Sequence, residues 1–114
     1  MEVVVDLDAV VVTFGSIEDL DRVTVRVASP ATASPEDAAA VHRLGDVLAA
    51  TNVGTLEHDP ELRAWISPVA AQFHAAGQVG PEWAARLESR CAESEGRGGP
   101  RSLEARVVWP GDRS

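Results

Sequence analysis

Apolar residues alternate with polar ones at both ends of the chain and recur at helical spacing in its middle. In EVVVDLD, Val3, Val5 and Leu7 fall on one side, and Glu2, Val4, Asp6 and Asp8 on the other. That is the pattern of a strand packed on one face. AVVVTF, just beyond, is apolar on both sides, and no Gly, Asn or Pro separates the two stretches. Residues 3–14 are therefore expected to form one long strand bent near Ala9. After the loop GSIEDLD, RVTVRVA places Val23, Val25 and Val27 inward and Arg22, Thr24 and Arg26 outward, so a β-hairpin is expected.

Helix signals follow. SPEDAAAVHRLGDVLAATN opens with Ser34 as N-cap, Pro35 at the first helical position and Asp37 as the capping-box acid. Its stripe, Ala40, Val41, Leu44, Val47, Leu48 and Thr51, predicts a helix ending at Asn52 to Gly54. Asp59–Pro60 and Ser67–Pro68 repeat the start signal, which predicts a short helix at 60–66 and another at 68–76. A fourth helix starts at Pro81, with Trp83, Leu87 and Cys91 at four-residue steps. After the break EGRGGP, RSLEARVVW alternates again, with Leu103, Ala105, Val107 and Trp109 on one face.

The expected order is ββ-αααα-β. This predicts an α+β two-layer sandwich whose three-stranded, mostly antiparallel sheet carries all its helices on one face. Residues 1–110 are expected to form one domain, with 111–114 as a short C-terminal tail. The 114-residue length suits a single core. On the open face the pattern places Glu2, Asp6, Asp8, Arg22, Arg26, Glu104 and Arg106.

Charge narrows the function classes. Residues 1–60 carry three arginines against eleven acids, a net of −8, and residues 61–114 balance seven arginines against seven acids. An acidic field of this kind repels nucleic-acid backbones and anionic membranes and favours a basic partner. No apolar run is long enough to span a bilayer and no signal peptide is apparent, so a cytoplasmic protein is expected. A single cysteine, Cys91, permits no internal disulfide. All ten cations are arginines, a bias of high-GC, actinobacterium-like genomes.

Two groups of residues invite a chemical reading. Asp6 and Asp8, two apart on a strand, would project from one face, where they suit paired carboxylates, a metal, or ion pairs with neighbouring arginines. A hydrophobic strand followed by Asp-x-Asp resembles the first motif of haloacid-dehalogenase-type phosphatases, which would make Asp6 the nucleophile and Asp8 the proton carrier. The chain departs from that pattern with Ala9 and Val10 in place of Gly-Thr, and it has no lysine. His58 and Asp59 at a helix start are candidate metal ligands. Helix capping accounts for Asp59 equally well.

The remaining expectation is a binding surface. Trp109, Arg22, Arg26 and Arg106 are its candidate interface residues, and a three-stranded sheet leaves edges on which a homodimer could form. The sequence is therefore read as a non-catalytic acidic accessory or adaptor protein, such as an inhibitor or immunity-type partner of a basic protein, with no cofactor. The alternative is a small enzyme or metal-binding domain using Asp6 and Asp8 with a nearby histidine.

Overall fold

A computed structural model describes residues 1–57 and 61–110. In chain order the elements are β1 (Glu2–Asp6), β2 (Val11–Gly15), β3 (Thr24–Ser29), α1 (Ala38–Ala50), β4 (Gly54–Glu57), β5 (Arg63–Ile66), α2 (Pro68–Ala75), α3 (Pro81–Gly96) and β6 (Leu103–Val108). The fold is α+β, but the expected three-stranded sheet with four helices is incorrect. Among the described residues the chain forms a six-stranded, mixed, curled sheet, a half-barrel, with three helices.

The sheet order is β2-β1-β3-β6-β5-β4. β1 pairs antiparallel with β2 and parallel with β3, and β3 pairs parallel with β6. β6 pairs antiparallel with β5, and β5 antiparallel with β4. The last strand in sequence therefore sits in the middle, joining an N-terminal three-stranded unit to the β4–β5 hairpin.

Three expectations fail for identifiable reasons. Residues 3–14 do not form one strand, because the chain reverses over Leu7–Val10 into the β1–β2 hairpin. Asp6 Oδ1 accepts hydrogen bonds from the backbone N–H groups of Asp8 and Ala9, both at 2.9 Å. An aspartate carboxylate can thus supply the turn chemistry usually sought in Gly, Asn or Pro. Val10 completes the reversal at φ 55°, a conformation that β-branched residues rarely adopt. The segment expected as a strand at 22–28 forms β3 over residues 24–29, which pairs with β1 as a parallel neighbour and not as the second arm of a hairpin.

The short helix expected at 60–66 is strand β5 over residues 63–66. Ala64 and Ile66 point into the core, but Trp65, on the opposite side, is also buried at 6% exposure. Apolar burial on both faces erased the alternation that identifies a strand. Its partner β4, four residues long, was too short to show a pattern. At the close approach of these two strands sits Gly54, where a Cβ would lie 2.0 Å from the backbone oxygen of Trp65. Only glycine fits this position.

Helix α1 begins one turn later than expected, with Asp37 as N-cap accepting from the N–H groups of Ala39 and Ala40. Its end agrees with the expectation: Thr51 is the C-cap and Asn52 takes the left-handed conformation. α2 is capped by Ser67 with Pro68 in its first turn, and α3 starts at Pro81. Both starts are as expected. Of the predicted α1 stripe, Ala40, Val41, Leu44, Val47 and Leu48 are buried and Thr51, the C-cap, is half-buried; the α3 stripe (Trp83, Leu87 and Cys91) is buried. The buried residues pack with Val3, Val5, Val25, Val27, Leu103 and Ala105 of the sheet into one core. Complete burial of a leucine such as Leu44 or Leu48 contributes about 1.5–3 kcal/mol. Because the strands bury these positions, the alternate ones are left on the other face of the sheet.

Candidate functional site

On the solvent side of the sheet the outward residues of β1, β3, β5 and β6 surround a depression of about 900 Å³. Alternation in β3 and β6 puts Arg26 and Arg106 there, and register aligns Glu2, Thr24 and Arg106 across three neighbouring strands. Arg22 enters from the segment before β3, Arg63 from β5, and Arg97 from the C-terminal end of α3. The acids on the same wall are Glu2, Asp21, Glu61 and Glu104. In a chain of net charge −8, this face carries five arginines against four carboxylates.

The pairing within the depression is uneven. Arg26 meets Glu2 at 3.4 Å. Arg63 bridges Glu57 and Glu104, each at 3.6 Å, and its guanidinium lies 5.9 Å from the centre of the Trp65 ring. The Trp65 indole N–H donates to Glu57 Oε2 at 3.0 Å, so this corner is tied down. Asp21 is held from outside by Arg86 and Arg90 of α3. Among the described residues, Arg22, Arg97 and Arg106 have no carboxylate partner. All three are exposed.

The candidate catalytic pair is placed elsewhere. Asp6 closes the β1–β2 turn through its two amide contacts. Asp8 lies in that turn, accepts from the Ser29 hydroxyl at 3.3 Å and stands 3.9 Å from Arg43. The two carboxylates therefore do not share the face of one strand, and they are engaged in ways that hold the hairpin. Among the described residues no three His, Cys, Asp or Glu side chains gather closely enough to hold a metal ion. His58 and Asp59 lie outside the described residues, as does the expected tail 111–114.

His42, His74 and Cys91, the histidines and the cysteine among the described residues, each have a local role. His42 is exposed and lies 3.3 Å from Asp46 on the same helix. His74 stacks on Phe14 with ring centres 4.2 Å apart. Cys91 is 1% exposed in the α3 stripe, and burial pushes its thiol above the ordinary range. A neutral buried thiol is a poor nucleophile.

Of the expected interface residues, Arg22, Arg26 and Arg106 lie together in the depression. Trp109 does not join them: at 4% exposure it belongs to the core, so its expected contact role is corrected. Sequence reasoning missed Arg63 and Arg97. Arg63 was hidden because its strand was read as a helix. Arg97 lay in a segment read as a flexible break, and no pattern in the sequence ties it to the sheet.

Comparison with protein-family models, with curated proteins and with solved structures finds no match. Among the described residues no helix is long and apolar enough to cross a membrane.

Proposed function

We propose that this protein is a non-catalytic accessory protein of the cytoplasm that works by binding another protein through the open face of its sheet. The observation that carries this reading is the depression itself, about 900 Å³ in volume and lined by charged side chains from four strands and three flanking segments. Neighbouring strands of one sheet hold the backbone positions of Glu2, Arg26, Arg63, Glu104 and Arg106 at fixed spacing, so docking has only side chains to order there. The carboxylates that could have supported hydrolysis, Asp6 and Asp8, serve the hairpin turn. A face of this breadth, open to water and alternating in sign, suits the polar, charge-patterned contact of a protein partner better than enclosure of a small substrate.

The net charge of −8 steers approach from a distance, but it is screened beyond about 8 Å at physiological ionic strength. Within that range the local sign of the open face governs contact. The test is affinity capture at physiological salt with two immobilised full-length proteins, the wild type and R22E/R97E/R106E. The expected result is a discrete protein retained by the wild type and lost from the variant. Equal retention by both would overturn the assignment to this face.

A further inference from the structure

The distribution of ion pairs carries the reading one step further, to the chemistry of the partner. Arg26, Arg43, Arg63, Arg86, Arg90 and Arg101 each have at least one carboxylate at 4.0 Å or less. Among the described residues Arg22, Arg97 and Arg106 have none, and all three line the same depression. They come from three separate places in the chain: the segment before β3, the end of α3, and β6. The chain carries ample acid to neutralise them, and does so at every other described arginine.

Resting on the partner-binding reading, we infer that the segment docking in this depression is acidic and places carboxylates on Arg22, Arg97 and Arg106. Guanidinium groups that line one depression offer several planar forks to the same ligand, and carboxylates from outside can meet each with directed two-pronged hydrogen bonds. Because all three arginines are exposed, a single anion gains little there, and useful affinity needs several contacts made at once. That requirement favours a chain segment over a free ion. The face also presents Glu61, which has no cation partner among the described residues. A nucleic-acid backbone has no cation to set against Glu61, whereas a protein segment can supply one beside its carboxylates.

The experiment titrates the full-length, isotope-labelled protein with the peptide acetyl-Glu-Gly-Glu-Gly-Glu-amide and follows backbone amide signals. Parallel titrations use the lysine counterpart, inorganic phosphate and an oligothymidylate. The expected result is saturable binding of the glutamate peptide, with shifts centred on Arg22, Arg97 and Arg106. Binding should weaken about tenfold in R22Q/R97Q/R106Q, a variant whose melting curve verifies its fold, and should weaken similarly when salt is raised to about 0.5 M. No binding of the glutamate peptide, equal binding by the variant, or tighter binding of phosphate or the oligonucleotide would overturn the inference. If any of these occurs while capture of a protein still depends on the three arginines, partner binding stands and only the acidic segment falls. If capture is insensitive to them, the broader reading falls as well.

Discussion

Replacing Asp6 separates a structural carboxylate from a catalytic one. Its Oδ1 accepts the N–H groups of Asp8 and Ala9, each at 2.9 Å, at an exposed turn where water can replace either bond. A net contribution near the lower end of the usual range, about 0.5–1 kcal/mol per bond, is therefore appropriate. Asp6→Ala should destabilise the fold by about 1–2 kcal/mol, a fall in Tm of roughly 4–8 °C for a domain of this size. Asp6→Asn keeps a carbonyl oxygen in the same place and should cost less than about 0.5 kcal/mol, since asparagine builds the same turn. Urea unfolding followed by tryptophan fluorescence suits the measurement, because Trp65, Trp83 and Trp109 are all buried and will report exposure of the core. If Asn proves as damaging as Ala, or if Ala costs nothing, the turn is not held in the way described. Asn that preserves stability but abolishes partner capture would show that the charge of Asp6 has a further role.

Other consequences of the packing can be checked independently. Gly54→Ala drives a Cβ into the Trp65 backbone, 2.0 Å from its oxygen and 3.0 Å from its carbonyl carbon, so a loss of at least about 2–3 kcal/mol in urea unfolding is expected. Val10→Asn should instead stabilise by about 0.5–1 kcal/mol, because Val10 is half exposed and its φ of 55° is one that asparagine tolerates. Cys91 should resist a disulfide-exchange reagent in the native protein and react fully in urea, as free thiol assays will show. The same burial has a pH consequence. Holding the thiol neutral raises its folded pKa above the ordinary 9.0, so its contribution to stability is intact below pH 9 and is lost as pH climbs through the raised value. Unfolding midpoints measured across that interval should fall, and Cys91→Ala should flatten the fall.

Which parts of this fold could be read from the sequence follows from where burial is one-sided. β3 and β6 bury one face each, so Val25, Val27, Leu103 and Ala105 stood out from their polar neighbours, and the outward positions of Arg22, Arg26 and Arg106 followed. The stripes of α1 and α3 and the proline starts of α2 and α3 were legible for the same reason, since capping and amphipathic spacing are local. β5 was not, because Trp65 is covered on the side where a polar residue would be expected. The β1–β2 turn was obscured by chemistry: Asp6 does the work of a turn residue while its neighbours are apolar and β-branched. Strand order was out of reach, because the central place of β6 depends on its pairing with β3, 82 residues upstream, which no local pattern encodes. The candidate site inherited both limits. Its β3 and β6 side was foreseen, and its β5 and α3 side was not.

The measurement that bears most directly on the central claim is hydrogen exchange of the full-length protein with and without its captured partner. Protection confined to the segments around Arg22–Arg26, Arg63, Arg97 and Glu104–Arg106 is the predicted result. Protection on α1 and α2, with the open face of the sheet exchanging as it does in the free protein, would contradict the account.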